Sequence, residues 1–91
     1  MNLDRTFRVP ETVIAQTIAG ETVILDLSGG LYFSLDPVGA RIWELLATGA
    51  TLFEVATQMH AEYDVSRDTL ECDVVTLGNT LLAKSLVIEN T

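Results

Sequence analysis

Leu31-Tyr32-Phe33-Ser34-Leu35 runs directly into Asp36-Pro37, and from there into Val38-Gly39-Ala40-Arg41-Ile42-Trp43-Glu44-Leu45-Leu46. The first five residues alternate, with Leu31, Phe33 and Leu35 on one side, which is the period of a strand. Asp36-Pro37 then reads as a helix start, because Asp caps the first free N–H groups and Pro suits the first helical position. Beyond it Val38, Ile42, Leu45 and Leu46 recur at helical spacing until Gly49 ends the run. The apolar period changes from that of a strand to that of a helix within two residues. This stretch therefore predicts a strand handed straight to a helix.

Upstream lie two more strand-like segments. Val13-Ile14-Ala15-Gln16-Thr17-Ile18-Ala19 is rich in β-branched residues and is broken at Gly20. Thr22 to Leu27 follows, with Val23, Leu25 and Leu27 expected on one apolar face. Ser28-Gly29-Gly30 reads as a turn, since glycine takes positive φ without a Cβ penalty. Together the three strands predict an antiparallel meander with one face that needs a cover.

Downstream, Thr51-Leu52-Phe53-Glu54 is a capping box. It opens a helix whose stripe is Leu52, Val55, Ala56, Met59 and Tyr63. Asp64-Val65 is a connector. Ser66 caps a third helix with Asp68 and Glu71 near its start, where the helix dipole favours anions. The inner stripe of that helix is Leu70, Val74, Leu77 and Leu81. It ends near Lys84-Ser85, and Leu86-Val87-Ile88 follows as a short apolar tail. The expected fold class is α+β, winged helix-turn-helix-like: a three-stranded antiparallel sheet followed by three helices. Ninety-one residues fit one domain, 1–91, with a core over about 12–88.

Composition narrows the function. Hydrophobic residues are 48 %, too many for a disordered acidic tail. Thirteen acidic side chains against five basic ones give a net charge of -8. Nucleic-acid affinity comes largely from Lys and Arg displacing counterions from phosphates. Arg5, Arg8, Arg41, Arg67 and Lys84 are scattered, so no nucleic-acid partner is expected, and no anionic membrane either. Cys72 is the single cysteine, which excludes an internal disulfide. Met1 to Arg8 lacks the apolar stretch of a signal peptide, and no run is long enough to span a bilayer. The expected location is cytoplasmic.

No constellation supports catalysis. Cys72 lies beside Asp73 and near Glu71, and neighbouring anions disfavour a thiolate. His60, the only imidazole, sits on another helix and is expected to face solvent. Cys72 is expected to be a small buried or half-buried helix residue, and Trp43 a core residue. The acids form no calcium loop, and no His/Cys cluster has zinc spacing. Gly29-Gly30 is too short to cradle a phosphate. The chain is therefore not expected to be an enzyme, nor to hold a metal or cofactor. What remains is the third strand, an edge of the meander. Leu31 to Leu35 carries no Lys, no Pro and no inward charge to blunt its unpaired backbone groups. The edge is either covered by the C-terminal tail, covered by a second copy, or reserved for a partner strand.

At this point the residues resemble a known family. Gly30 to Asp36 and Val38 to Leu46 resemble the core signature of the coenzyme PQQ synthesis protein D (PqqD) family. Gly20 to Leu27 fits its second strand, and Glu62 to Val65, Leu70, Asp73-Val74, Leu81-Leu82 and Leu86-Val87 fit the later part. The resemblance covers roughly residues 12–88. The family often has Asn where Asp36 stands, and Gly where Ser85 stands. The resemblance implies a precursor-peptide recognition element that binds the leader region of a ribosomally made peptide. The leader would add as a strand to Leu31, Tyr32, Phe33, Ser34 and Leu35. It would lie against the third helix, on a wall of Asp73, Thr76, Leu77 and Thr80, with Leu70 and Val74 in the core. The implied partners are a leader protease and a cyclase, as in lasso-peptide maturation, or a radical-SAM enzyme, as in PQQ biosynthesis. With no fused catalytic domain in the sequence, a free-standing version of the lasso type is expected. The alternative is a structural or regulatory subunit whose apolar edge makes a constitutive interface.

Overall fold

The computed structural model describes residues 3–90. In chain order the elements are β1 (Phe7–Arg8), β2 (Val13–Ile18), β3 (Glu21–Asp26), β4 (Leu31–Leu35), α1 (Pro37–Ala47), α2 (Leu52–Glu62), α3 (Arg67–Ala83) and β5 (Ile88–Glu89). The expected meander is present as an antiparallel sheet in the order β2-β3-β4, so β4 is an edge. The β2–β3 hairpin turns on Ala19 and Gly20, both at positive φ (54° and 84°), with Ile18 opposite Glu21. Positive φ at both central residues is the turn type that matches strand twist.

The register fixes which backbone groups of β4 stay free. The Leu27 N–H donates to the Thr12 carbonyl at 2.8 Å, one step beyond the Val13–Asp26 pair. Hydrogen-bonded and non-hydrogen-bonded pairs alternate along an antiparallel ladder. Leu25 and Val23 therefore turn their N–H groups toward β2, and Thr22, Ile24 and Asp26 turn theirs toward β4. Opposite these stand Leu35, Phe33 and Leu31. The N–H and C=O groups of Tyr32 and Ser34 are left pointing to the open edge.

The core corrects two expectations about faces. Val23, Leu25 and Leu27 are not the core side of β3. Ile24 is fully buried between Thr22 and Asp26, which are also buried, whereas Val23 and Leu25 are half-buried and Leu27 is 60 % exposed in the turn. The polar pair tolerates burial because it is satisfied locally. Thr22 Oγ1 lies 3.0 Å from Thr17 Oγ1, and Asp26 Oδ1 accepts from the Ser28 N–H and hydroxyl. Those Ser28 bonds hold the Asp26 carboxyl below its usual range against the opposing effect of burial. Val38 is likewise exposed rather than in the α1 stripe, which is Ala40, Ile42, Trp43 and Leu46.

The caps form as read. Asp36 Oδ1 accepts from the Gly39 N–H at 2.7 Å, with Pro37 at the start of α1. Thr51 and Glu54 make the reciprocal capping box of α2. The Leu52 and Phe53 N–H groups, orphaned at that helix start, donate to the carbonyls of Arg5 and Leu3. Ser66 caps α3, whose Leu70, Val74, Gly78 and Leu81 are buried.

The C-terminal tail is not a loose apolar end. Leu86 and Val87 are buried, and β5 pairs antiparallel with β1, a strand absent from the sequence reading. Phe7, fully buried, carries the packed unit N-terminal to residue 12. Arg5 clamps the pair through Glu89 at 2.9 Å and holds that carboxyl below its ordinary value. Because the tail pairs with β1, it does not cover β4. The turn into it is sharp despite the serine: Ser85 has φ 60°, and the Leu86 N–H closes back on the Leu81 carbonyl at 2.9 Å. A left-handed residue with a Cβ is strained. Ser85→Gly is expected to raise unfolding free energy by about 0.5–1 kcal/mol in urea melts.

Arg41 ties α1 to α2 through Glu62 at 2.7 Å and also meets Glu44 at 3.1 Å. The Arg41 bonds, then that from Gln58, lower the Glu62 carboxyl from 4.5 to about 2. A depressed carboxylate stabilises the fold above its unfolded pKa, and this contribution is lost as pH falls toward the folded value. Wild-type melting temperature should therefore drop between about pH 5 and pH 2 more steeply than that of Glu62→Gln, which lacks this titration. Parallel slopes would contradict it.

Candidate functional site

The site begins where β4 hands over to α1. Because Asp36 caps α1 directly after Leu35, the first turn of α1 stands beside the end of the edge strand, and α3 packs across from it. Between them lies an open groove of about 480 Å³ lined by Ser34, Leu35, Asp36, Val38, Gly39, Ile42, Asp73 and Leu77. Leu35, Val38, Ile42 and Leu77 supply apolar surface, and Asp36 and Asp73 supply carboxylates. Gly39 keeps the groove open at the cap. A Cβ there would stand 3.2 Å from Asp36 Oδ1 and 3.3 Å from a Leu35 methyl.

Of the residues expected at the site, Ser34, Leu35, Asp73 and Leu77 are brought together in this groove. Leu31 and Phe33 lie on the same side of β4, Leu31 exposed and Phe33 half-buried against the core. Tyr32 points to the other side of the sheet, where only its backbone serves the edge. Thr76 and Thr80 do not line the groove, and the Thr80 hydroxyl donates to the Thr76 carbonyl at 2.9 Å. The α1 wall (Asp36, Val38, Gly39 and Ile42) was not among the expected site residues.

One further residue was missed. Lys84, at the end of α3, holds its Nζ 5.4 Å from the centroid of the Phe33 ring. A cation over a ring face is attracted by the ring quadrupole. Asp73 stands at the Leu35 end of β4 and Lys84 at the Phe33 end, eleven residues or about 16 Å of helix apart. The carboxylates thus lie in the groove at the Leu35 end of β4, and the ammonium of Lys84 lies outside its lining, beside Phe33. The guanidiniums of Arg5, Arg41 and Arg67 are instead engaged by carboxylates.

Cys72 is exposed, not buried or half-buried as expected. His60 faces solvent as expected, and its Nδ1 lies 3.0 Å from the Val65 carbonyl. Among the described residues no group of three His, Cys, Asp or Glu is placed to hold a metal. No helix among them is long and apolar enough to cross a membrane.

A small meander capped by three helices, with an unpaired edge strand beside a groove, defines the class: a winged-helix-like domain built around an open β edge. The chain belongs to the coenzyme PQQ synthesis protein D (PqqD) family, whose sequence pattern matches residues 21–87. Among solved structures, it is similar to TbiB1 in complex with the TbiA(beta) leader peptide. The two are 39 % identical over 88 % of this chain and 93 % of that one, with a TM-score of 0.82. It is also similar to a lasso peptide synthetase B1 complexed with the leader peptide, at 27 % identity over 90 % of this chain and 96 % of that one, with a TM-score of 0.83. No match was found among curated proteins.

Proposed function

We propose that this chain binds the leader region of a ribosomally synthesised precursor peptide by adding it as a strand to β4. It then delivers the precursor to the maturation enzymes, a leader protease and a cyclase of the lasso-peptide type, in the cytoplasm. The observation that carries this reading is the open edge: Tyr32 and Ser34 direct unpaired N–H and C=O groups outward beside an apolar groove. Family membership and the likeness to two leader-bound proteins support it. Backbone pairing supplies affinity with little sequence demand, and alternate leader side chains entering the groove supply specificity. An apolar leader anchor fits over Leu35, Val38, Ile42 and Leu77. A leader cation fits near Asp36 and Asp73, and a leader anion near Lys84. The chain's own role is binding rather than catalysis, and it needs no cofactor. Engagement of three of its arginines by carboxylates fits the expectation that it takes no nucleic acid.

The test is a fluorescence-polarisation titration with the labelled leader of the precursor encoded beside this chain's gene. Saturable binding at roughly micromolar Kd or tighter, about -8 kcal/mol, is expected. A scrambled leader that binds equally well overturns the reading.

A further inference from the structure

Two exposed side chains of opposite charge stand on α3 along the inner side of the β4 edge, and neither is ion-paired. Among the described residues Asp73 makes no hydrogen bond or salt bridge, and Lys84 meets only the ring of Phe33. The other cations are occupied or distant: Arg5, Arg41 and Arg67 are held by carboxylates, and Arg8 lies on β1 in the other sheet. From Leu27 to Leu35 the chain carries no charge at all. Asp36, which follows, has its Oδ1 engaged by the Gly39 N–H. The charges that an incoming strand meets free on its inner side are thus Asp73 and Lys84.

Backbone pairing alone fixes neither the register nor the direction of an added strand. Side chains alternate with a period of two, so a slip of two residues returns each leader side chain to the same side of the sheet. Parallel and antiparallel ladders can both use the outward Tyr32 and Ser34 groups. The inward leader side chains are therefore left to decide. One that lies opposite Leu35 enters the groove beside Asp73, and one that lies opposite Phe33 meets Lys84. Inward positions recur about every 6.6 Å, and Asp73 and Lys84 stand about 16 Å apart along the helix. The two positions are accordingly two or four leader residues apart.

Building on the leader-binding reading, we propose that Asp73 and Lys84 set the register and direction of the bound leader. The leader this pair selects carries a cation at the inward position facing Asp73 and a carboxylate at the inward position facing Lys84. A slip along the strand separates both pairs. A reversal brings the carboxylate to Asp73 and the cation to Lys84, and like charges repel. The favoured substrate is a segment of mixed, ordered charge, not the uniformly basic segment that the net charge of -8 would attract by its field alone.

The experiment titrates the full chain with labelled synthetic copies of the leader encoded beside its gene, each residue being replaced in turn by Lys and by Glu. Two positions, two or four residues apart, should stand out in polarisation. At one, Glu binds about fivefold or more worse than Lys, and at the other the preference is reversed. Both preferences should shrink at about 1 M NaCl, where the screening length falls to about 3 Å. A leader with the two charges exchanged should lose about tenfold in affinity for the wild type. The double variant Asp73→Lys/Lys84→Glu should recover that leader to within about threefold and bind the native leader about tenfold worse. Circular dichroism checks that the double variant is folded. A folded double variant that keeps the wild-type preference for the native leader overturns the proposal. So do charge preferences that persist unchanged in high salt, which would assign them to packing. A wild-type chain that does not bind the native leader overturns the leader-binding reading itself, and this assignment with it.

Discussion

A Ser34→Pro chain is expected to fold and to lose the leader. The register turns the Ser34 N–H away from β3, so proline at this position removes no bond of the β3–β4 ladder. Proline is tolerated on edge strands for this reason. What it removes is one of the two outward N–H donors, and its ring stands where the incoming strand must pass. Losing the bond forfeits about 0.5–1.5 kcal/mol, and the leader carbonyl left without a donor costs about 1–3 kcal/mol more. The sum corresponds to a roughly tenfold or greater rise in Kd. Phe33→Pro is the contrasting variant: it strikes a donor that pairs with Ile24 and should destabilise the sheet itself. Tight leader binding by well-folded Ser34→Pro would show that the edge is not used.

Val38→Asp separates binding from stability in the opposite sense. Val38 sits in the first turn of α1, exposed, on the wall of the groove. That turn contains no acidic residue, so a carboxylate there meets the positive end of the helix dipole and should hold or slightly raise the melting temperature. The same carboxylate replaces an apolar contact for the leader anchor. Losing the burial of one aliphatic side chain, about 1.5–3 kcal/mol, predicts about a 10- to 100-fold weaker Kd. A variant that melts at or above the wild-type temperature yet binds tenfold worse places the anchor against α1. Equal binding would move the anchor elsewhere.

Local features were legible in the sequence because local rules write them. The change of period at Asp36-Pro37, the Thr51–Glu54 capping box and the Ser66 cap each depend on residues within one helical turn. The edge status of β4 also followed, because three consecutive strands joined by short turns leave only the first and last as edges. The pairing of β1 with β5 did not. Two strands of two residues carry no period, and their ends lie about eighty residues apart in sequence. The core side of β3 was misread because both of its sides are partly apolar. The decision fell to Thr22 and Asp26, whose burial depends on partners at Thr17 and Ser28. At the site, Asp73 and Leu77 line the groove, whereas Thr76 and Thr80 on the same helix lie outside its lining. The α1 wall and Lys84 depend on how helices cross the sheet edge, which no periodicity encodes. Ser85, where glycine is usual in the family, reaches the left-handed turn anyway, so the departure changes strain rather than path.

Amide hydrogen exchange of the full chain, resolved residue by residue by NMR with and without saturating leader, reads the edge directly. The account predicts that Leu31, Phe33 and Leu35 are protected in the free chain by their bonds to β3, and that Tyr32 and Ser34 exchange freely. On adding leader, Tyr32 and Ser34 should slow by tenfold or more while their neighbours change little. Leader that saturates the chain and leaves the Tyr32 and Ser34 amides exchanging at their free rates would contradict strand addition at β4.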